Sequence, residues 1–167
     1  MHLRHLYLSP GHNYFGHHGE PAGQHPTLEV ETVECVAGQG LRGDRFFGFK
    51  TDYAGQVTFF AQEVFERLQH ELNLPTATPA GLRRNIVTAG VDLNALIGTE
   101  FTVQGITFLG TRECSPCYWM DHAFAPGAEA FLQGQGGLRA KILTSGTLQS
   151  SALHGKSSAF PASLDFA

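Results

Sequence analysis

Two cysteines separated by two residues are the side chains of this sequence best suited to chemistry. Cys114 and Cys117 flank a Ser-Pro pair. A zinc site usually needs four protein ligands, and only Cys35 and scattered histidines remain to complete one. A thioredoxin-type dithiol needs a strand before the pair and a helix after it, within a βαβ frame that the sequence does not predict. The third interpretation is two thiols that line a turn, and the pattern alone leaves all three open.

Arginines beside glycine turns form a second candidate group. Glycine lets backbone N–H groups approach an anion, and arginine offers forked donors to a phosphate or a planar heterocycle. Three such turns in a chain with only 16% charged residues predict a shared anion pocket around Cys117. For any single arginine, a surface ion pair is the alternative. The residues of these turns are Arg42, Gly43, Arg45, Arg83, Arg84, Asn85 and Arg139.

Histidines are dense near the N-terminus, at His12, His17, His18 and His25. Imidazoles at this density can bind a transition metal, but their spacing matches no zinc motif, and surface loop histidines are the alternative. The glycine- and proline-rich stretch around them predicts a long loop, and such loops often cover functional sites. We therefore expect His12, His17 and His18 to lie close to the pocket.

The elements that must position these groups are mostly strands. Apolar residues recur at helical spacing over residues 60–72, which predicts the main helix, with short helical pieces at 93–97 and after Pro126. Strands are predicted at 3–8, at 27–36 with a bend near residues 31–32, at 85–88, at 101–109 as a hairpin turning at Gln104-Gly105, and at 140–143. Because strands and helices do not alternate regularly, the order predicts a mainly β fold, a twisted and partly closed barrel with short inserted helices.

Length and composition further limit the classes of protein to which this chain can belong. The 167 residues suit one domain, with residues 150–167 as a C-terminal tail. A net charge of −4 argues against a nonspecific nucleic-acid binder. We find neither a signal-peptide pattern nor an apolar run of the ~20 residues that span a membrane. Three cysteines do not suggest a secreted disulfide scaffold, so we expect a cytoplasmic protein.

Four segments occur together in a familiar order. They are GLRGDRFFG at 40–48, RRNIVTAGVDLNALIG at 83–98, CSPC at 114–117 and GGLRAKIL at 136–143. The ordered set resembles the MOSC family, named for the C-terminal domain of molybdenum-cofactor sulfurase, and the resemblance spans about residues 28–148. It implies a β-rich, barrel-like fold and a role in molybdenum–pterin chemistry.

The resemblance also implies roles for the candidate residues. Cys117 matches the cysteine that ligates molybdenum in family members that reduce N-hydroxylated or N-oxide compounds, and Cys114 accompanies it in the catalytic pair. The residues of the arginine turns named above would hold the pterin and its phosphate. A small-molecule substrate and a separate electron-donor protein would complete the reaction.

Two further functions are compatible with the same resemblance. In a sulfur carrier for cofactor or metal–sulfur cluster maturation, Cys117 would hold a persulfide supplied by another protein, and Cys114 would be the resolving thiol. A non-catalytic cofactor-binding module is the third possibility. The chain shows no pyridoxal-phosphate desulfurase domain of the kind found in the sulfurases. The sequence predicts neither the substrate nor the oligomeric state.

Overall fold

The computed structural model describes residues 1–14 and 21–151. Strands dominate them: β1 (His2–Leu8), β2 (Leu28–Glu29), β3 (Thr32–Val36), β4 (Gly40–Leu41), β5 (Val57–Ala61), β6 (Ile86–Ala89), β7 (Glu100–Val103), β8 (Ile106–Glu113), β9 (Leu138–Ile142) and β10 (Gly146–Gln149). The helices are α1 (Gln62–Glu71), α2 (Trp119–Ala123) and α3 (Ala128–Leu132), with 3₁₀ turns at Pro79–Leu82 and Asn94–Leu96. Within the described residues no helix is long and apolar enough to cross a membrane.

The strands form two sheets. The larger has the order β2-β1-β6-β5-β9-β8-β7, and the smaller has the order β10-β3-β4. The neighbouring strands pair antiparallel except β5 and β6, which run parallel because α1 carries the chain back between them. The mainly β architecture is therefore confirmed. In the described pairing the edge strands β2 and β7 do not meet, so closure into a barrel stays a prediction.

Apolar side chains fill the space beneath the larger sheet. Phe59 and Phe108 are fully buried there, with ring centroids 5.2 Å apart. Along β9, Leu138 and its alternate neighbours point into this core, whereas Arg139 and Lys141 are directed to the opposite face and are only partly buried. Because side chains alternate along a strand, that opposite face is where polar site residues can gather.

The main helix begins two residues later than the sequence predicts. Phe60 belongs to β5, whose first four residues are all buried, and α1 begins at Gln62. A short apolar run has no period that separates a buried strand from a helix start, which explains the error. On α1, Phe65 and Leu68 face a second core with Met120 of α2 and neighbouring apolar residues.

Most other predicted elements are confirmed. β1 and β6 correspond to the predicted strands 3–8 and 85–88, α3 follows Pro126, and a 3₁₀ turn lies within 93–97. The predicted bend separates β2 from β3. The hairpin of β7 and β8 turns at Gln104 and Gly105, with φ of 49° and 82° as a two-residue turn of this type requires. The prediction of the last strand, at 140–143, is wrong in two respects. The strand β9 begins at Leu138, and a further strand that was not predicted, β10, follows it.

Candidate functional site

The two cysteines lie on a turn between β8 and α2. Cys114 follows directly after β8, and its N–H donates to the carbonyl of Gly137 over 2.7 Å. The carbonyl of Cys117 accepts from the N–H of Met120 at 2.7 Å, and this bond lies at the start of α2. Cys114 is buried with 5% exposure, whereas Cys117 is exposed. Only the second thiol is therefore open to a ligand or a partner.

A pair of glycines packs against this turn. A Cβ at Gly136 would lie 2.5 Å from the carbonyl oxygen of Cys114, and a Cβ at Gly137 would lie 2.3 Å from the carbonyl oxygen of Phe59. Gly137 also has a φ of 100°, which other residues rarely adopt. The glycine pair thus lets β9 begin in contact with the cysteine turn. We name residues 114–117 the thiol turn.

Arg84 clamps the thiol turn from inside the protein. It is 9% exposed, and its guanidinium donates to three carbonyl oxygens: Leu82 at 3.0 Å, Gly136 at 3.0 Å and Cys114 at 3.1 Å. A planar guanidinium with five donors in a rigid fork can satisfy three carbonyls at once. Arg84 therefore joins the glycine pair to the thiol turn and fixes where Cys117 emerges.

A buried carboxylate places the next arginine. Asp44 is 6% exposed and accepts from the N–H of Ser9, from Asn85 Nδ2 at 3.0 Å and from Arg45 Nη1 at 3.4 Å. Asn85 is held in turn by Thr58, whose N–H and hydroxyl both donate to its Oδ1. This network is rigid because each buried polar group has a partner.

Arg45 is mostly buried beside the thiol turn. Burial lowers the pKa of its guanidinium, and the charge of Arg84 lowers it further. The carboxylate of Asp44 raises that pKa, and Cys114 lies close enough to raise it as well. Its Nη2 donates to the carbonyl of Arg83 at 3.3 Å. Arg45, Arg83 and Arg84 thus bring three guanidiniums together. Two carboxylates of the described residues lie beside them, Asp44 and Glu113, whose Oε1 accepts from the N–H of Gly136 at 3.1 Å. The three guanidiniums outnumber these two carboxylates, so the region has a net positive charge.

Arg83 binds the N-terminal segment. Its Nη2 donates to Ser9 Oγ at 2.6 Å and to the carbonyl of Gly11 at 3.0 Å, and its Nη1 donates to the carbonyl of His25 and to Thr27 Oγ1. Burial lowers the pKa of Arg83, and the charge of Arg45 adds to this. Four N–H groups are used in this way, so Arg83 joins the segment at residues 9–11 to the segment at residues 25–27.

Aromatic side chains surround the arginines. Tyr14 lies between the guanidinium of Arg83, 5.8 Å from its ring, and Trp119, 5.0 Å away in ring centroids. On the other side the Arg45 guanidinium lies 4.8 Å above Phe46, which stacks on Tyr53 with ring centroids 5.4 Å apart. The cluster therefore has flat, apolar walls on both sides.

Arg139 continues this arrangement across Tyr53. A Cβ at Gly55 would lie 3.3 Å from the Tyr53 ring and 3.4 Å from Arg139 Cδ, so both side chains flank that glycine. In the antiparallel pair of β5 and β9, Arg139 lies opposite Thr58. Its Nε is buried and has no hydrogen-bond partner among residues 1–14 and 21–151. Arg139 is therefore the arginine with the clearest unused donor.

Arg42 lies at the surface instead. Its guanidinium donates to both oxygens of Glu34 and lies 5.1 Å from the Phe47 ring, and its side chain is 58% exposed. No contact found in the described part of the chain joins it to the other arginines. Gly43 has a φ of 88°, and a Cβ there would meet only Leu8 Cδ1, at 3.8 Å, so Gly43 serves the turn. The cofactor-binding roles of Arg42 and Gly43 stay predictions.

A model of the MOSC domain family matches residues 17–155. The chain belongs to the MOSC domain family. This match covers most of the chain and encloses the region 28–148 from which the sequence resemblance was drawn. No curated protein matches this MOSC chain in sequence.

Solved structures share the fold of this MOSC chain. YuaD from Bacillus subtilis has a TM-score of 0.70 at 17% identity, over 89% of this chain and 90% of that one. YiiM from Geobacillus stearothermophilus has a TM-score of 0.62 at 13% identity, over 88% and 71%. YiiM from Escherichia coli has a TM-score of 0.58 at 18% identity, over 86% and 66%. Identities this low support the fold alone.

The donor set fits one kind of metal centre better than others. Among the described residues no three His, Cys, Asp or Glu side chains group to hold a metal ion. A cofactor that brings its own dithiolene sulfurs needs only one soft protein ligand, and the exposed Cys117 would be the residue to supply it. The unused donor of Arg139 and the positive charge around Arg45 suit the phosphate of such a cofactor.

The histidine prediction is tested only in part. His12 lies against Phe46, with ring centroids 4.9 Å apart, and burial together with the charge of Arg45 lowers its pKa. It therefore lies beside the arginine cluster. His17 and His18 lie outside the described residues. His25 contributes its backbone carbonyl to Arg83.

Sequence reasoning missed several residues that build the site. Asp44 lies inside the GLRGDRFFG segment, but the prediction named only its glycine and arginine neighbours. Thr58 and Tyr53 carry no pattern that separates them from ordinary strand and loop residues. An aspartate between two arginines was the one available signal, because a carboxylate there would hold the guanidiniums together.

Proposed function

We propose that this MOSC protein binds the molybdenum cofactor through the thiolate of Cys117 and reduces N-hydroxylated or N-oxide compounds in the cytoplasm. The observation that carries the proposal is an exposed thiol on a clamped turn beside a positively charged arginine cluster. Soft thiolate is a preferred ligand for a soft metal centre, and arginine is a preferred ligand for phosphate.

The arginines divide into two tasks in this proposal. Arg83 and Arg84 use most of their donors on protein oxygens, so Arg83 positions the segments at residues 9–11 and 25–27 and Arg84 positions the thiol turn. Among the described residues, Arg45 makes two hydrogen bonds from its five donors, and the buried Nε of Arg139 has no partner. Arg45 and Arg139 would therefore hold the phosphate and the pterin edge.

The reaction needs a balance of electrons and protons. When bound, the cofactor supplies a redox centre able to take the oxygen of an N–O bond. Reduction of a hydroxylamine to an amine consumes two electrons and two protons and releases water. The chain shows no cysteine cluster for electron transfer among its three cysteines, so a separate protein would deliver the electrons. Tyr14 and Trp119 beside the thiol turn would exclude water from one side of the substrate.

A persulfide carrier is the second candidate function. It is favoured by the contrast between the two thiols, since Cys117 is exposed enough for a donor protein to reach and Cys114, three residues earlier, is buried. In this case Cys117 would carry the outer sulfur, and Cys114 would release it by forming a disulfide. A non-catalytic cofactor module would use the same residues without turnover.

Bound molybdenum and sulfane sulfur should be measured in wild type, Cys117→Ser and Cys114→Ser, all purified from a host that makes the cofactor. We expect molybdenum near one per chain in wild type and in Cys114→Ser, with loss in Cys117→Ser, because a serine oxygen is harder and stays protonated. Sulfane sulfur without molybdenum would favour the carrier. Full molybdenum retention in Cys117→Ser would refute the ligand assignment.

Inorganic phosphate provides a test of the arginine assignment that needs no cofactor. Phosphate should raise the melting temperature of the apo protein in a concentration-dependent way. Arg139→Gln should abolish most of that rise, whereas Arg42→Gln should keep it because Arg42 is engaged with Glu34. An equal rise in both variants would contradict the division of tasks among the arginines.

A further inference from the structure

A cleft of about 420 Å³ lies beside the glycine pair, with Gly137 in its lining. It opens where the parallel strands β5 and β6 end, a place where α/β sheets commonly bind ligands. Its apolar wall consists of Val64, Val91 and Leu93, and its volume suits a small molecule. We call it the α1 cleft, because the first two turns of α1 form one side.

Opposite charges are held apart on the walls of the α1 cleft. Glu63 and Arg67 are four residues apart on α1, the spacing at which such side chains usually pair. They form no ion pair in the described structure. Glu63 Oε1 instead accepts from the N–H of Gly90 at 2.7 Å, and Arg67 Nη2 donates to Gln135 Oε1 at 2.6 Å. The second oxygen of Glu63 and the remaining donors of Arg67 are thereby left for a ligand.

A second carboxylate lies on the β6 side. One oxygen of Asp92 accepts from the N–H of Asn94 at 2.9 Å, and Asp92 lines the cleft together with Glu63. Asn94 is itself fixed, because its Nδ2 donates to the carbonyl of Gly134 at 2.8 Å. The cleft thus combines carboxylates for a cation, a guanidinium for an anion and an apolar wall.

We propose that the α1 cleft binds a zwitterionic α-amino acid with an aliphatic side chain. The ammonium group would bind Glu63 and Asp92, the carboxylate would bind the guanidinium of Arg67, and the side chain would lie on the wall formed by Val64 and its neighbours. A ligand with only one of the two charges would leave one partner without a counter-ion.

Three ligands with the same hydrocarbon test the charge requirement by calorimetry on the wild-type protein. They are L-leucine, 3-methylbutylamine, which lacks the carboxylate, and 4-methylpentanoate, which lacks the ammonium. We expect leucine to bind at least about tenfold more tightly than either analogue. Equal affinities, or no saturable leucine binding at millimolar concentration, would overturn the proposal. Neither molybdenum nor Cys117 takes part, so the outcome is independent of the proposed function.

Variants locate the site. Arg67→Gln should bring leucine down to the affinity of 3-methylbutylamine, whereas Arg4→Gln, an exposed arginine on β1, should leave leucine binding unchanged. Amide chemical shifts should move at Gly90 and Gly134 on leucine addition, and those of Gly48 should not. Unchanged leucine binding in a folded Arg67→Gln protein would refute the placement.

Discussion

Replacing Arg84 by lysine tests whether the thiol turn depends on a guanidinium. Arg84 donates three hydrogen bonds to backbone carbonyls from a site that is 9% exposed. A lysine ammonium keeps the charge but cannot reproduce the planar fork, and we expect it to reach one of the three carbonyls. Two lost bonds at about 1 kcal/mol each weaken the closed turn by about 2 kcal/mol. This corresponds to a roughly thirtyfold increase in opening.

Thiol labelling of Cys114 measures that opening directly. In a Cys117→Ser background the remaining thiols are Cys114, which is 5% exposed, and Cys35, which is fully buried in the core beneath the larger sheet. Under native conditions, Arg84→Lys should raise the rate of Cys114 labelling about thirtyfold, because a buried thiol reacts only when its surroundings open. Arg42→Lys is the matched control, since Arg42 is exposed and should change the rate little.

Cys35 separates local opening from unfolding of the whole chain. If Arg84 acts on the thiol turn, Cys114 in the Arg84→Lys protein should label much faster than Cys35. If both thiols label at one rate, the substitution has only lowered global stability, and the positioning role fails. An unchanged Cys114 rate would refute the hydrogen-bond reasoning altogether.

Two further predictions concern the framework. Gly137→Ala should destabilise by at least about 3 kcal/mol in urea unfolding, because its Cβ meets a carbonyl 2.3 Å away, whereas Gly105→Ala, in open space, should cost about 1 kcal/mol; a smaller loss at Gly137 would contradict the close approach. Burial raises the pKa of the Cys35 thiol to about 12, with Glu34 adding to it. The folded state favours the neutral thiol. The contribution of Cys35 to the free energy of unfolding is therefore fully present below the ordinary pKa near 9, and it is lost as pH rises toward 12. Cys35→Ala should flatten that decline, and an unchanged slope would exclude the thiol as its source.

Local chemistry made some elements predictable from the sequence. The turn at Gln104-Gly105 needs two residues with positive φ, and Gly105 between two alternating apolar runs is the signal that the sequence provides. The start of α1 was not predictable, because Phe60 suits both a buried strand and one face of a helix. Its strand state depends on pairing with β6 and β9, which lie far away in the sequence.

The site was predictable as a set of residue types but not as an arrangement. Glycine next to arginine marked the turns, and the structure gathers Arg45, Arg83 and Arg84 near Cys114. The sequence does not reveal that Arg42 meets Glu34 across the paired strands of the small sheet. Such partners decide whether a guanidinium remains available to a ligand, and they depend on the tertiary fold.

Arg83 and Arg84 are adjacent in the sequence, but their side chains bind different parts of the protein. Arg83 ends a 3₁₀ turn in the left-handed region with a φ of 54°, which costs about 1 kcal/mol for a residue with a side chain. Four hydrogen bonds to the segments at residues 9–11 and 25–27 outweigh that cost. The left-handed residue redirects the chain, so Arg84 enters the protein and clamps the thiol turn from behind. Two adjacent arginines therefore mark a structural junction, whereas the guanidiniums that we propose for the cofactor phosphate, those of Arg45 and Arg139, belong to other segments.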